Sequence, residues 1–478
     1  MFGARRQSAR KVEMKSLISF LVGCFLPLIM AAERPNVVLI MTDDLGYQDL
    51  GVYGHPTIKT PVLDQLASRG IRLTEFYSGA TVCTPSRMAL LTGSYPVRLG
   101  WTQGVVGFKM GRNDGLSTKA VTMAEVFRDH GYVTGMSGKW HIGNQPETNP
   151  NGQGFDSAYY LTMSNNQTKE VWRDGKVIEK PFENRLLSEK FTQEARRFIR
   201  AHRKDPFFLY LPYTAPHFPV ESHPDWKGRS AHGVYGDVVE ELDARIGEVL
   251  DALEQAGIMK KTIVIFCSDN GPNPNENSSC LPLRGEKWSA LEGGTRVPCV
   301  VAWPGVLAEA KTLDGITSAM DLFPTLCEAC GIELPPKTFP KRDGISLWQR
   351  WLGQEKHPRD ELLYWHGMGP QPQAIRVGEW KLFFDRRHAL EGLGTKRATP
   401  KQREKIKPYL KALEKGKPGA PILFRLDQDV DELVDVSERY PEKVTALRAR
   451  AKELMEDIER DGILPLSTPP HPKQQRGE

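Results

Sequence analysis

Seven cysteines in a chain of 478 residues are too few to staple a fold, which excludes the disulfide-dense scaffolds of small secreted domains. Cys327-x-x-Cys330 has no second pair to complete a zinc site. It lies in an apolar, helix-like run, residues 320–332, and reads as a buried pair or a local disulfide. Charge of one sign is also scarce. The net charge is +5, and residues 1–32 supply +4 of it (Arg5, Arg6, Arg10, Lys11 and Lys15 against Glu13), leaving 5 − 4 = +1 for the rest. A basic field suited to nucleic acid is therefore absent. Apolar runs of membrane length are missing too: residues 17–30 fall short of the ~20 residues a spanning helix needs, so no stable membrane span is expected.

That short run has the order of a secretory signal peptide. A basic stretch precedes it and Ala31-Ala32 follows it, so residues 1–32 are expected to be removed and the protein exported, periplasmic or secreted. In a eukaryotic host the destination would be lysosomal or extracellular. Leu21-Val22-Gly23-Cys24 resembles a lipobox, but the residues after Cys24 stay apolar where a lipoprotein turns polar, so the downstream site is preferred. Length exceeds that of one core. A large domain over 33–360, a smaller one over 361–463 and a disordered proline-rich tail over 464–478 are expected.

Strand-like and helix-like runs alternate along the chain, the pattern of an α/β fold with a mainly parallel sheet. Residues 36–41, 132–136, 207–211 and 262–267 read as strands, and Thr60-Pro61 with Val62, Leu63, Leu66 and Gly70 reads as a short capped helix. Tyr235, Val238, Val239, Leu242, Ile246, Val249, Leu250 and Leu253 recur at helical spacing and form a core stripe. Polar clusters follow the four strands in turn: Asp43-Asp44, then Lys139 with His141, then His217, then Asp269-Asn270. Taken singly, the acids fit a helix cap, Lys139 a solvated lysine and His217 a loop histidine. Strand ends of a parallel sheet share one edge, however, so all four clusters can converge on one crevice. Their chemistry suits metal-assisted hydrolysis of an anionic ester. Asp43, Asp44, Asp269 and Asn270 offer hard oxygen ligands for calcium or magnesium. Lys139 and Lys287 can neutralise a transferring group, and His141 and His217 can move protons near neutral pH.

Val82-Cys83-Thr84-Pro85-Ser86-Arg87, continuing through Leu90-Leu91-Thr92-Gly93, resembles the site at which type I sulfatases convert a cysteine into formylglycine. So short a pattern also fits a small buried cysteine at the start of a helix. Further motifs settle the choice. Gly131-Tyr132-Val133-Thr134-Gly135-Met136-Ser137-Gly138-Lys139-Trp140-His141 is similar to the family's second signature. Gly285-Glu286-Lys287-Trp288-Ser289-Ala290-Leu291-Glu292-Gly293-Gly294 resembles a third, with Glu286 and Leu291 replacing the usual Gly and aromatic. Thr214-Ala215-Pro216-His217-Phe218-Pro219 and Ser268-Asp269-Asn270-Gly271 are similar to the others, and with Asp43-Asp44-Leu45-Gly46-Tyr47 the pattern is most similar to the arylsulfatase A and N-acetylgalactosamine-6-sulfatase branch.

The resemblance implies an alkaline-phosphatase-like sandwich: a large mixed, mainly parallel sheet flanked by helices, plus a smaller C-terminal antiparallel sheet with a final helix. It implies one calcium ion on Asp43, Asp44, Asp269 and Asn270, completed by modified Cys83 and the substrate sulfate; magnesium suits the same ligand types. Lys139 and Lys287 would grip the sulfate, Ser164, ten residues after Gly154, would touch it, and Arg87 and His141 would orient the hydrated aldehyde. Lys139 would also lower the pKa of the attacking hydroxyl. His217, near Lys287, would protonate the leaving alcohol, and His141 would act as base as the aldehyde re-forms. The implied partners are a sulfated carbohydrate or aryl sulfate and a formylglycine-generating or anaerobic sulfatase-maturating enzyme. Two other readings use the same residues: a phosphodiesterase or phosphonate monoester hydrolase of the superfamily, and an inactive glycan-binding protein that keeps the Cys83 thiol. Lys287 with the Glu292-Gly293-Gly294 turn favours the sulfatase.

Near the C-terminus, residues 374–384 read as a strand pair around Gly378-Glu379-Trp380-Lys381 and 423–427 as another strand. Val444, Leu447, Ala451, Leu454 and Ile458 give the last helix one apolar face. Loops 102–114 and 172–182 carry no motif and are expected to set substrate identity. The insertion 386–417 holds eleven Lys or Arg against Glu391, Glu404 and Glu414, a net 11 − 3 = +8. It reads as a solvated helical hairpin or as a patch steering a sulfated polysaccharide to the crevice. Steering predicts that neutralising Lys401, Arg403, Lys405 and Lys407 raises the apparent KM for a sulfated polymer and leaves a small aryl sulfate unchanged; equal effects on both would contradict it.

Overall fold

The run Asn-Val-Val-Leu-Ile-Met-Thr forms β1 (Asn36–Thr42), every residue of it buried. Both of its faces are covered: Val37, Leu39 and Met41 join one hydrophobic cluster, Val38 and Ile40 another, as a central parallel strand requires. The structure is a computed structural model that describes residues 34–107, 115–334, 340–354, 358–390 and 400–463. The expected signal peptide with Cys24, residues 108–114 of the loop 102–114, residues 391–399 of the basic insertion and the tail 464–478 lie outside the described residues.

In chain order the other strands are β2 (Ile71–Leu73), β3 (Phe76–Tyr77), β4 (Val133–Lys139), β5 (Ser157–Leu161), β6 (Val171–Arg173), β7 (Lys176–Glu179), β8 (Phe207–Pro212), β9 (Thr262–Ser268), β10 (Cys299–Ala302), β11 (Lys311–Leu313), β12 (Thr317–Ser318), β13 (Glu361–Tyr364), β14 (Ala374–Val377), β15 (Trp380–Phe383) and β16 (Ile422–Arg425). Nine of them join β1 in one ten-stranded sheet, β11-β2-β10-β9-β1-β8-β4-β5-β6-β7; β3 pairs with β12, and β13-β14-β15-β16 form a small antiparallel sheet. Its middle, β9-β1-β8-β4-β5, is parallel throughout, while β10 and β6 run against their neighbours. Parallel neighbours need crossovers, and helices provide them: α1 (Pro61–Ser68), α2 (Cys83–Thr92), α3 (Met123–Asp129), α4 (Leu187–Ala201) and α5 (Gly233–Gln255). The stripe read from the sequence is the buried side of α5, with Leu250 half-buried at its margin.

Several boundaries differ from the sequence reading. β4 runs past Met136 to Lys139, because Ser137, Gly138 and Lys139 stay paired with Tyr159, Tyr160 and Leu161 of β5. Gly138 permits this at φ 141°, where a Cβ would lie 1.9 Å from the Pro212 carbonyl oxygen. Thr60 does not cap α1: its hydroxyl accepts from the Gly51 N–H (2.8 Å) and donates to Asp64 (3.1 Å). The first free N–H groups of α1, on Val62 and Leu63, go to the Asp243 carboxylate of α5 at 3.0 and 2.8 Å. β16 starts and ends earlier than residues 423–427. The final helix, Pro441–Arg460, buries Leu447, Ala451, Met455 and Ile458.

The small sheet shares its core with the chain before it, since Tyr77, Ala89, Tyr95, Leu291 and Met320 pack into the same cluster as β13 to β16. The basic insertion is helical at Arg386–Leu390 and Pro400–Glu414, but it is docked as well as solvated. Leu410 and Leu413 are buried in that core, and Arg386 donates to the Leu413 carbonyl (2.9 Å) and pairs with Asp435. Cys83, Cys267, Cys280, Cys299, Cys327 and Cys330 are buried free thiols, so Cys327 and Cys330 are a buried pair and not a disulfide. No helix among the described residues is long and apolar enough to cross a membrane.

Asp243→Ala, which strips both acceptors from the start of α1, should cost about 1–2 kcal/mol, read as a lower urea midpoint at unchanged slope. Burial, reinforced by Asp64 and Glu240, pushes the Asp243 carboxyl up to about 7. An unfolded chain releases this proton near pH ~4, well before the folded one. The wild type should therefore lose stability relative to Asp243→Asn as pH rises from about 4 to about 7.

Candidate active site

β1 and β9 end side by side, Thr42 opposite Ser268, so Asp43-Asp44 leave one strand where Asp269-Asn270 leave the next. The Asp269 N–H donates to the Thr42 carbonyl at 3.1 Å, and the Asp44 N–H to Asp269 Oδ1 at 3.2 Å. Lys139 is the last residue of β4, and His217 lies in the loop after β8. Cys83 opens α2, a helix with every residue buried, and Arg87 lies one turn further on the same face. Asp44 and His141 both take the left-handed backbone (φ 66° and 61°), a strained conformation for residues with a Cβ.

The charged groups are out of water and in contact. Asp43, Asp269, Arg87 and Lys139 are fully buried and Asp44 nearly so. Arg87 donates from Nε and Nη2 to Asp269 Oδ2 (3.0 and 2.8 Å) and from Nη1 to the Lys139 carbonyl (2.8 Å), with Asp43 3.5 Å from Nη2. Lys139 Nζ donates to Asp43 Oδ2, and Lys287 Nζ donates to Asp44 Oδ1 at 2.5 Å. Three carboxylates thus meet three cations. Burial raises the Asp43 carboxyl, but Lys139, His217 and Arg87 outweigh it and hold it well below the usual range. Burial and the charge of Asp43 push Asp269 up to about 6 against the pull of Arg87.

Cys83 Sγ lies 3.5 Å from Asp43 Oδ1 and 3.3 Å from Lys287 Nζ. Burial, then Asp43, pushes the thiol up to about 12, so a reactive thiolate is disfavoured at neutral pH. His141 Nε2 meets the Val106 carbonyl at 3.0 Å and Nδ1 meets Ser164 Oγ at 3.4 Å. A carbonyl only accepts, so Nε2 carries the hydrogen and Nδ1 accepts from Ser164. Burial, with Lys139 and Arg87 nearby, keeps this imidazole neutral. His217 Nδ1 donates to the Phe218 carbonyl at 2.7 Å, which leaves Nε2 3.8 Å from Asp44 Oδ2. Burial pulls His217 down to about 4 although Asp43 and Asp44 oppose it.

Two buried oxygens of the cluster, Asp44 Oδ2 and Asn270 Oδ1, have no hydrogen-bond partner among the described residues. Such orphaned oxygens are costly unless a cation takes them. Ligand atoms of Asp43, Asp44, Cys83 and His217 lie within 4.8 Å of one another, so these residues fit a divalent metal ion. A cleft of about 290 Å³ opens above them, lined among others by Cys83, His141, Ser164, His217 and Lys287. The site residues read from the sequence lie at this edge, Lys139 is not solvated and His217 faces Asp44, but the group able to hold a metal includes His217 and not Asp269, whose Oδ2 accepts from Arg87. The loop at 102–107 contributes Val105 to the cleft, whereas no residue of 172–182, the β6–β7 hairpin, lines it.

Other supports escaped the sequence reading. Thr84 Oγ1 donates to the His141 carbonyl (2.7 Å) and accepts from the Val106 N–H (3.0 Å), tying both walls of the site to α2. The Lys287 loop is pinned through the Lys287 N–H to the Pro272 carbonyl (2.9 Å) and the Trp288 N–H to the Thr81 carbonyl (3.1 Å). Its far end is held by a dry ion cluster. Glu292 accepts from Lys381 Nζ of β15 (2.8 Å) and from the Tyr77 hydroxyl (2.6 Å), while Glu432 lies 2.9 Å from Lys381 Nζ and accepts the Glu292 N–H (2.7 Å). Thr84 and Glu292 sit inside motifs read from the sequence, whereas no motif or periodicity marks Lys381 and Glu432 as buried ions.

A balanced charge cluster with metal-ready oxygens, set at the carboxyl edge of a parallel sheet around a helix-start cysteine, defines a hydrolase of anionic esters. The Sulfatase family model matches residues 35–332, and the chain belongs to the sulfatase family, a sulfuric ester hydrolase on the alkaline-phosphatase-like sandwich. It is 38% identical over 390 residues to human arylsulfatase A, covering 74% of this chain and 76% of that one. Rat N-acetylgalactosamine-6-sulfatase is 33% identical over 386 residues, covering 73% and 71%. Among solved structures, a Bacteroides thetaiotaomicron sulfatase from work on the metabolism of multiple glycosaminoglycans matches with TM-score 0.75 and 26% identity, covering 89% of this chain and 100% of that one. Ps i-CgsB in complex with k-i-k-neocarrahexaose matches with TM-score 0.73 and 26% identity, covering 91% and 96%.

Lys381→Met would remove the cation shared by buried Glu292 and Glu432, leaving Glu292 with Arg296 (3.5 Å) and Arg376 (4.0 Å), and should destabilise the protein by about 3 kcal/mol in urea melts. Glu432→Gln should cost less, because burial already pushes the Glu432 carboxyl up to about 7.

Proposed function

We propose that this sulfatase releases inorganic sulfate from a sulfated carbohydrate, and from small aryl sulfates, by means of Cys83 oxidised to formylglycine beside a calcium ion on Asp43, Asp44, Asp269 and Asn270. Magnesium suits the same oxygens. The observation that carries this reading is the setting of Cys83, between Asp43 and Lys287 with its thiol held protonated. Such a thiol is a poor nucleophile. The hydrated aldehyde supplies one hydroxyl for attack on sulfur and a second whose proton loss expels the product, and the cation supplies charge neutralisation at the sulfate oxygens.

The remaining work falls to side chains. Lys139 and Lys287 offset the sulfate charge, and Lys139 lowers the proton affinity of the attacking hydroxyl at position 83. Arg87 acts mainly as a positioning residue, since its guanidinium is engaged by Asp269, Asp43 and the Lys139 carbonyl. His217 is neutral without substrate; an arriving anionic ester favours its imidazolium, which protonates the leaving alcohol beside Lys287. His141, its Nδ1 turned to Ser164, takes the proton as the aldehyde re-forms, and Ser164 contacts the sulfate. In this reading residues 33–360 form the catalytic domain and 361–463 a second one. Residues 1–32 direct export, and a maturating enzyme modifies Cys83.

Mass spectrometry of the peptide containing Cys83, from protein made in its native host, should find an aldehyde. Cys83→Ala should lose at least ~1000-fold in kcat, as nucleophile deletions do. Aryl sulfate should be turned over faster than aryl phosphate diester. An unmodified thiol in fully active protein would overturn the mechanism, and preference for the phosphate diester would overturn the substrate class.

A further inference from the structure

The floor of the cleft carries the sulfate chemistry, and its walls carry another. Asn166 and Asn275 are exposed, Gln167 is half-buried and Asn273 buried, so four carboxamides line one small cavity. Two aromatic rings join them. Trp288, half-buried, packs against His366 with centroids 5.4 Å apart, and Phe218 stacks on His217 at 4.7 Å while remaining 40% exposed. Among the described residues lining the cleft, the ionisable ones are Cys83, His141, His217 and Lys287, all already engaged at the sulfate end. Neither an arginine nor a further lysine is among them.

Asn273 Oδ1 already accepts the Asn275 N–H (3.0 Å) and Gln167 Oε1 the Ser164 N–H (3.2 Å), so these two offer chiefly their NH2 groups, while the carboxamides of Asn166 and Asn275 can donate and accept; the set matches hydroxyls and gives an anion no net charge to pair with. Taking a carboxylate or a second sulfate out of water beside the ester would demand a further cation, and the described residues of these walls supply none. An exposed aromatic at a cleft mouth marks a surface kept for a ligand's apolar face. A volume of about 290 Å³ is at the small end for ligand sites, suited to one ring and its ester. Resting on the sulfatase reading above, we propose that the alcohol released is an uncharged sugar ring. Its hydroxyls bond the carboxamides of Asn166, Gln167, Asn273 and Asn275, and its C–H face lies against Trp288 and Phe218. Sulfate esters of uronic acids are discriminated against.

The test compares kcat/KM of the aldehyde-bearing enzyme for three substrates: 4-nitrophenyl sulfate, a monosulfated galactose and a monosulfated hexuronate. The galactose should exceed the hexuronate at least tenfold. Asn275→Leu and Asn166→Leu should each lower the galactose to 4-nitrophenyl ratio about fivefold, the loss of one hydrogen bond, through KM. Asn275→Lys should raise the hexuronate to galactose ratio. A hexuronate turned over as well as the galactose, or unchanged ratios in the Leu variants, would overturn the proposal while leaving the sulfatase reading intact. Failure to turn over even 4-nitrophenyl sulfate would instead overturn the reading on which it rests.

Discussion

The mutual neutralisation of Asp43, Asp44 and Asp269 by Lys139, Arg87 and Lys287 is the constraint on which the rest of this structure depends. None of these charges could be buried alone, because each would carry an uncompensated desolvation cost. The sheet therefore has to end β1, β4 and β9 at one edge. α2 has to start there as well, so that Arg87 reaches two acids and a strand-end carbonyl from a single turn. The cluster balances only among the protein's own groups, and it leaves oxygens of Asp44 and Asn270 without hydrogen-bond partners among the described residues. A divalent cation would satisfy those oxygens and give the site the net positive charge that an anionic ester requires.

Burial governs the protonation of the site cysteine and of both histidines. It pushes the Cys83 thiol up to about 12 and keeps both imidazoles neutral, so the native thiol is a poor nucleophile and the histidines rest as proton acceptors. The likenesses to arylsulfatase A and N-acetylgalactosamine-6-sulfatase place the chain among sulfuric ester hydrolases. The setting of Cys83 gives a physical reason why such a residue would be modified before use.

A second dry ion cluster connects this edge to the small C-terminal sheet. Lys381 of β15 meets Glu292, only five residues beyond Lys287, and Glu432 closes the triangle. The small sheet thereby anchors the loop that presents Lys287 and Trp288, and the shared core under β13 to β16 makes that anchor rigid. The cleft walls, by contrast, consist of loop residues at 105, 166–167, 218 and 273–275, which the motifs leave without a role.

Much of this was legible in the chain itself. The α5 stripe, the four apolar strands and the clusters that follow them are local patterns, because helical spacing and strand burial are written in neighbouring residues. Asp43, Asp44, Asp269 and Asn270 could be assigned to one edge from strand order, and Cys83 and Arg87 are joined to them by the family resemblance. What required tertiary structure is what depends on partners distant along the chain. Asp243 rather than Thr60 serves the start of α1, and β4 continues to Lys139 because β5 lies beside it. Lys381, read as part of a turn, is a fully buried ion in a strand. A local pattern sets which face of an element is apolar. Only packing decides which buried charge meets which, since that follows from distances no spacing encodes.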